Sequence, residues 1–103
     1  MDLLKHVKIY LNPLNVGDYI NHNYTIQDVE ESDGKYGSII TVKMYDSDAD
    51  INVYIRLNNT TLKDLVQQGF TTSEELVGKK AKLKFVNANG KTYLGIQVTG
   101  DNA

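Results

Sequence analysis

YGSIITVKMYDSDADINVYIRLNN (residues 36–59) reads as two strands joined by an acidic turn. Side chains alternate across a strand, so each strand offers two separate faces. Ile40, Val42 and Met44, then Ile51, Val53, Ile55 and Leu57, make one apolar face. The other face carries Lys43, Tyr45, Tyr54 and Arg56 where an ordinary solvated face would carry Thr, Ser and Glu. Tyr and Arg are acceptable strand residues, and aromatic cross-strand pairs stabilise sheets, so any one of these tyrosines is explained by packing alone. The set of them on one face is what asks for a function. A slip of one residue would turn all of them inward.

Before this hairpin, residues 16–31 are expected to form a long first strand marked by Ile20, Tyr24, Ile26 and Val29. The spacing slips between Ile26 and Val29, which predicts a β-bulge and a bend. Ser32-Asp33-Gly34 is the turn signal that follows. After the hairpin the period changes. Leu62, Leu65 and Val66 are spaced as a helix face, with Thr61 and Asp64 as its cap and Gly69 as its stop. Thr72 with Glu75 caps a further short turn that ends at Gly78. Two more strands close the chain. Ala81, Leu83 and Phe85 alternate with Lys82, Lys84 and Val86; Leu94, Ile96 and Val98 alternate with Tyr93, Gly95 and Gln97; Asn89-Gly90 turns between them. Upstream, Leu4, Val7, Ile9 and Leu11 fit a strand, while Leu3, Leu4 and Val7 fit a helical turn equally well.

The expected fold class is all-β with one short helix. Five strands with a helix between the third and fourth is the order of the OB-fold, a five-stranded Greek-key barrel. An open five-stranded α+β sheet has the same order and is the competing arrangement. Residues 1–15 read as an N-terminal extension and a candidate subunit-pairing segment, residues 16–99 as the domain, and residues 100–103 as a short tail.

The chain has 103 residues, 41% hydrophobic and 23% charged, which suits one domain with one core. No apolar run approaches the roughly 20 residues of a membrane span, and the N-terminal residues do not read as a signal peptide. With no cysteine there are no disulfides, thiolate metal sites or Cys nucleophile, which fits a cytoplasmic protein. The net charge of −2 counts against a protein held to duplex DNA by a general basic surface. Charge is nevertheless segregated: acids at residues 28–33, at Asp46, Asp48 and Asp50, and at Glu74 and Glu75; bases at Lys79, Lys80, Lys82 and Lys84.

The run Glu30-Glu31-Ser32-Asp33-Gly34-Lys35-Tyr36-Gly37, followed by a β-branched strand, resembles small OB-fold single-stranded-DNA-binding proteins of bacteriophages, archaeal viruses and related replicons. Val77-Gly78-Lys79-Lys80-Ala81-Lys82-Leu83 and Gly90-Lys91-Thr92-Tyr93-Leu94-Gly95-Ile96 fit the same pattern. The resemblance covers residues 16–99. It implies a viral protein working in the cytoplasm of a host cell, in DNA replication or recombination. Bacterial members carry a long acidic, glycine-rich tail for recruiting partners; residues 100–103 are too short to serve so.

In an OB-fold the second and third strands carry the binding face, flanked by the loops between strands one and two and between four and five. The expected nucleic-acid contacts are therefore Lys43, Tyr45, Tyr54 and Arg56, with Tyr36 and Tyr93 near the ends and Lys35 and Lys91 in the loops. Bases stack on aromatic rings and cations follow the phosphates, without a sequence code. The partner is single-stranded DNA, with RNA as an alternative, bound by a dimer or a cooperative array because one barrel covers few nucleotides. Lys80, Lys82 and Lys84 read as a solvated strand face with a secondary phosphate role.

Asp46-Ser47-Asp48-Ala49-Asp50 has the opening spacing of a calcium loop, but Ile51 and Leu57 stand where the loop needs Gly and Glu. It is expected to be a solvated turn. His6 and His22 have no third ligand at metal spacing, so neither a metal nor another cofactor is expected, and no enzyme signature is present. Two other readings stay open: a protein-interaction module, such as a viral inhibitor of or adaptor to a host protein using its acidic turns, and a structural virion domain. Fold analogy alone does not choose between them.

Overall fold

The central hairpin forms in the register that the apolar alternation requires. The computed structural model describes residues 3, 7–35 and 37–100. Five strands, β1 (Tyr24–Gly34), β2 (Gly37–Asp46), β3 (Ile51–Leu57), β4 (Lys80–Ala88) and β5 (Lys91–Gly100), are joined by one helix, α1 (Asn59–Gln67), which lies between β3 and β4 in the chain. The pairings among these five strands are antiparallel, in the order β3-β2-β1-β4-β5, so β3 and β5 are the edges of the sheet. No helix among the described residues is long and apolar enough to cross a membrane.

The β-bulge falls where the spacing slips. Ile26 faces Met44 and Asp28 faces Lys43, so Gln27 is the extra residue. The parity of β1 resets there, which lets Val29 pack toward the core after Tyr24 and Ile26 have done so. Two expectations for this strand need correcting. Residues 16–23 are not strand: Gly17–Asn21 form a 3-10 turn, with Val16 buried ahead of it. Ser32-Asp33-Gly34 is not the turn, because β1 runs on to pair Gly34 with Gly37. The β4–β5 hairpin closes tightly, with Ala88 opposite Lys91 and both Asn89 and Gly90 at positive φ, as a two-residue primed turn requires.

Helix α1 is capped one turn earlier than Thr61 and Asp64 implied. Asn58 is the N-cap: its Oδ1 accepts from the Thr61 amide, while the Thr61 hydroxyl oxygen accepts from the Asn58 amide. Such caps contribute about 1 kcal/mol. Thr61 is buried, and a Cβ at Gly95 would lie 3.4 Å from its methyl and 2.9 Å from Val86, so glycine lets β5 pass close under the helix. At the other end Gln68 ties the helix to β5, donating to the Ile96 carbonyl and accepting from the Val98 amide. Gly69 and Gly78, both at positive φ, end the helix and the following turn. In that turn the Thr72 hydroxyl, then the amide and hydroxyl of Thr71, lower the Glu75 pKa.

Inward residues of β1, β2 and β3 share a single core with Ala81, Leu83, Leu94 and Ile96 of β4 and β5, and with Leu65 and Leu76. Phe85, which alternation would send inward, is 48% exposed near the end of β4. Leu11 belongs to the same core. It anchors a strap, residues 7–11, whose Tyr10 forms a parallel bridge to Tyr54 on the outer edge of β3. The Leu11 amide donates to the Tyr54 carbonyl at 2.9 Å and the Tyr54 amide to the Ile9 carbonyl at 2.8 Å. The N-terminal segment is thus extended at this point, and it pairs with its own chain.

Candidate nucleic-acid interface

Outward side chains of β2 and β3 are fixed by the burial of their neighbours. Val42, Met44 and Val53 are fully buried and Ile55 nearly so, which leaves Lys43, Tyr45, Tyr54 and Arg56 together on the outer face. Lys43 stands opposite Tyr54, and Thr41 opposite Arg56. Tyr45 faces Asn52, not Tyr54, so the two tyrosines are diagonal neighbours and not the direct cross-strand pair that packing would have used. On the β1 side Lys43 faces Asp28 and Tyr45 faces Thr25.

The strap widens this face. Ile9 and Leu11 turn toward the core, so Lys8 and Tyr10 turn outward beside β3. The Tyr10 and Tyr54 rings lie 5.4 Å apart, tilted by 34°. Lys8 Nζ is 5.4 Å from the Tyr54 ring centre, and the Arg56 guanidinium is 4.7 Å from that of Tyr10. Exposed cation–π contacts of this kind are worth about 0.5–1 kcal/mol. Alternating with Val7, Ile9 and Leu11, Lys8 and Tyr10 repeat the basic-aromatic pattern of β2 and β3. That alternation was the available signal for them.

The other expected contacts are less concentrated. Tyr93 lies at the start of β5 and shares a cleft with Tyr10 and Arg56. Lys91 is exposed two residues earlier on the same side of the strand. Lys35 sits in the β1–β2 turn, about 25 Å from Lys43 along β2 at 3.3 Å per residue, and so does not join the platform. Tyr36 lies outside the described residues. Lys84 is engaged by Asp64 at 2.7 Å and donates to Gln97, and Lys82 donates to the Asn21 carbonyl. These two lysines brace the fold as well as facing solvent.

The acidic turn is not simply solvated. Asp46 is fully buried. Its Oδ1 accepts from the Asp48 and Ala49 amides, and its Oδ2 lies 2.6 Å from His22 Nδ1. Asp48 accepts from the amide and side chain of Asn23, and the Tyr45 hydroxyl donates to Asp50, which sits at positive φ. That bond to Asp50 raises the Tyr45 pKa. Burial, then the charges of Asp46, Tyr19 and Asp48, push the Tyr24 phenol far above its ordinary value, and its hydroxyl donates to the Tyr19 carbonyl. His22, Asp46 and Asp48 bring one ligand atom each within 4.8 Å of one another, the spacing of a small metal site. Both Asp46 oxygens and His22 Nδ1 make hydrogen bonds that close the turn, and with Asp48 they form a polar clasp joining residues 22–23 to the β2–β3 turn. Sequence spacing gave no hint of His22, which is 24 residues from Asp46.

No protein-family model matches this chain, and no curated protein or solved structure matches it either.

Proposed function

We propose that this chain binds single-stranded nucleic acid, DNA foremost, without strong sequence preference and without catalysis, to protect or present single strands in replication or recombination. The observation that carries the reading is the outer face itself. Tyr10, Tyr45 and Tyr54 are gathered there with Lys8, Lys43 and Arg56, on strands whose opposite sides form the core. Rings that bases stack on, interleaved with cations, are the minimum equipment for sequence-tolerant single-strand binding.

The strand order is compatible with the expected OB barrel, which would support the same reading. Cutting a cylinder of strand order 1-2-3-5-4 between β3 and β5 leaves the order β3-β2-β1-β4-β5 that is found. The two edge strands approach to within 8 Å, Cα to Cα, and both halves of the sheet feed one core. Part of the seam is taken by the strap, which pairs with β3 at Tyr54.

Three cations on the face set the salt dependence. Affinity for labelled oligothymidine, read by fluorescence anisotropy, is expected to fall with a log–log slope against salt of about −2, from about −0.7 per single-strand phosphate contact. Duplex of equal length should bind far more weakly. No binding of oligothymidine at low salt, or equal binding of duplex, overturns the reading.

A protein-interaction role has one observation in its favour. Among the described residues β1 pairs with β4 only at Tyr24 and Thr25, so beyond the bulge one edge of β1 has no strand partner among them, with Asp28, Glu30, Glu31 and Asp33 exposed along it. A basic strand could add to such an edge. The acids of the β2–β3 turn are poorer contacts, since Asp46 is buried and Asp48 and Asp50 hold internal hydrogen bonds.

A further inference from the structure

The cleft where the strap, the end of β3 and the start of β5 meet has a volume of about 280 Å³ and is lined by Tyr10, Asn12, Arg56, Asn58 and Tyr93 among others. Its chemistry is one-sided. Asn12 Oδ1 accepts from the Leu14 and Asn15 amides, and Asn58 Oδ1 accepts from the Thr61 amide. With each carbonyl oxygen committed to backbone, the NH2 of each side chain is the group left for a ligand. Arg56 adds a guanidinium with no ion pair among the described residues. Tyr10 and Tyr93 supply aromatic rings. The cleft thus combines hydrogen-bond donors and one positive charge with aromatic surface, and has no carboxylate in its lining.

We infer that this cleft is a subsite for a single nucleotide unit, its phosphate on Arg56 and the side-chain amides and its base against Tyr10 or Tyr93. Phosphate is matched by the guanidinium fork and by amide donors, and a base by a ring face. A volume at the small end of ligand sites, about 300–1,000 Å³, admits one nucleotide and not a run of them. Arg56 and Tyr10 belong both to this cleft and to the open face, so a strand lying on Tyr54 reaches the cleft without a break. The inference rests on the single-strand reading for the identity of its ligand. The unit is either a free mononucleotide or one residue of a strand, and the two sources separate experimentally.

The test is an NMR titration of the full chain, with amide shifts followed. The probes are thymidine, thymidine 5′-monophosphate, and oligothymidine with and without a terminal phosphate. Thymidine 5′-monophosphate is expected to shift the amides of Asn58, Tyr93 and Leu94 and to bind at least tenfold more tightly than thymidine. Arg56→Gln should remove that tenfold preference, while Lys63→Gln, the same charge loss on exposed helix surface, should keep it. Oligothymidine alone shifting the cleft identifies a strand residue as the occupant, with a gain from the terminal phosphate marking the strand end. Oligothymidine binding with shifts on Lys43, Tyr45 and Tyr54 but none in the cleft overturns the subsite and leaves single-strand binding standing. Mononucleotide binding in the cleft without oligothymidine binding does the reverse. Equal binding of thymidine and its monophosphate overturns the phosphate assignment.

Discussion

Asp46→Ala is expected to destabilise the fold by about 3 kcal/mol, the sum of lost charge-assisted hydrogen bonds in a buried setting. The carboxylate is fully buried and both of its oxygens are engaged: two backbone amides on Oδ1 and His22 on Oδ2. Alanine leaves the amides of Asp48 and Ala49 without their acceptor and releases His22 from the turn. Asn23 is held on the same clasp by Asp48 and by Ser47, whose amide and hydroxyl both donate to its carbonyl. Tyr24, the next residue, opens β1 and is itself core. The loss therefore spreads from a turn into the first strand. Urea unfolding followed by circular dichroism should show the midpoint falling by more than about 1 M, given slopes of about 1–3 kcal/mol per molar for small domains. Asp46→Asn keeps an acceptor for the two amides and should lose roughly half as much. Asp48→Ala, at an exposed position, should lose less than either. Equal, small losses for Asp46→Ala and Asp48→Ala would mean that the turn is an ordinary solvated one after all.

The second large effect is on binding. Tyr54→Ala should weaken binding of oligothymidine about tenfold to a hundredfold, as stacking of one base on one ring is worth about 1–3 kcal/mol and 1.4 kcal/mol is a factor of ten. Tyr54 lies outside the buried core, so the fold should survive, at a cost of about 1 kcal/mol for the lost contact with Tyr10. Tyr54→Phe keeps the ring and should keep most of the affinity. Arg56→Gln should reduce affinity less, but should make the salt slope shallower by about 0.7, one phosphate contact. Thermal unfolding of each variant separates the two possible roles. Undiminished affinity per folded molecule, combined with a large loss of stability, would make Tyr54 a packing residue only.

How much of this was legible depends on the range over which each signal acts. The β2–β3 hairpin was readable because seven apolar residues alternate cleanly around one turn, and a slip would have buried Lys43 and Arg56. The bulge was readable for the same reason, as a break in parity between Ile26 and Val29. Residues 16–23 misled because Ile20 fits a strand period, while Gly17 at positive φ and the buried Val16 instead support a 3-10 turn against the core. Asn58, three residues ahead of Thr61, is as local a cap signal as Thr61 with Asp64, and the structure uses it reciprocally. The pairing partners of the strap and the clasp were beyond reach for a different reason. Lys8 and Tyr10 gain meaning only when paired with Tyr54, and His22 only when beside Asp46. Such pairings are set by tertiary packing and leave no spacing in the chain. Lys35 sits in the loop between the first two strands, as the pattern implied, and the length of β2 sets it apart from Lys43.

The central claim, that single strands lie across the outer face of β2 and β3, is tested most directly by mapping amide shifts as oligothymidine is added at low salt. The expected result is a contiguous set at Lys43, Tyr45, Tyr54 and Arg56, joined by Lys8 and Tyr10 of the strap. Shifts confined to α1 and the lysines of β4, or to the acidic edge of β1, would contradict it.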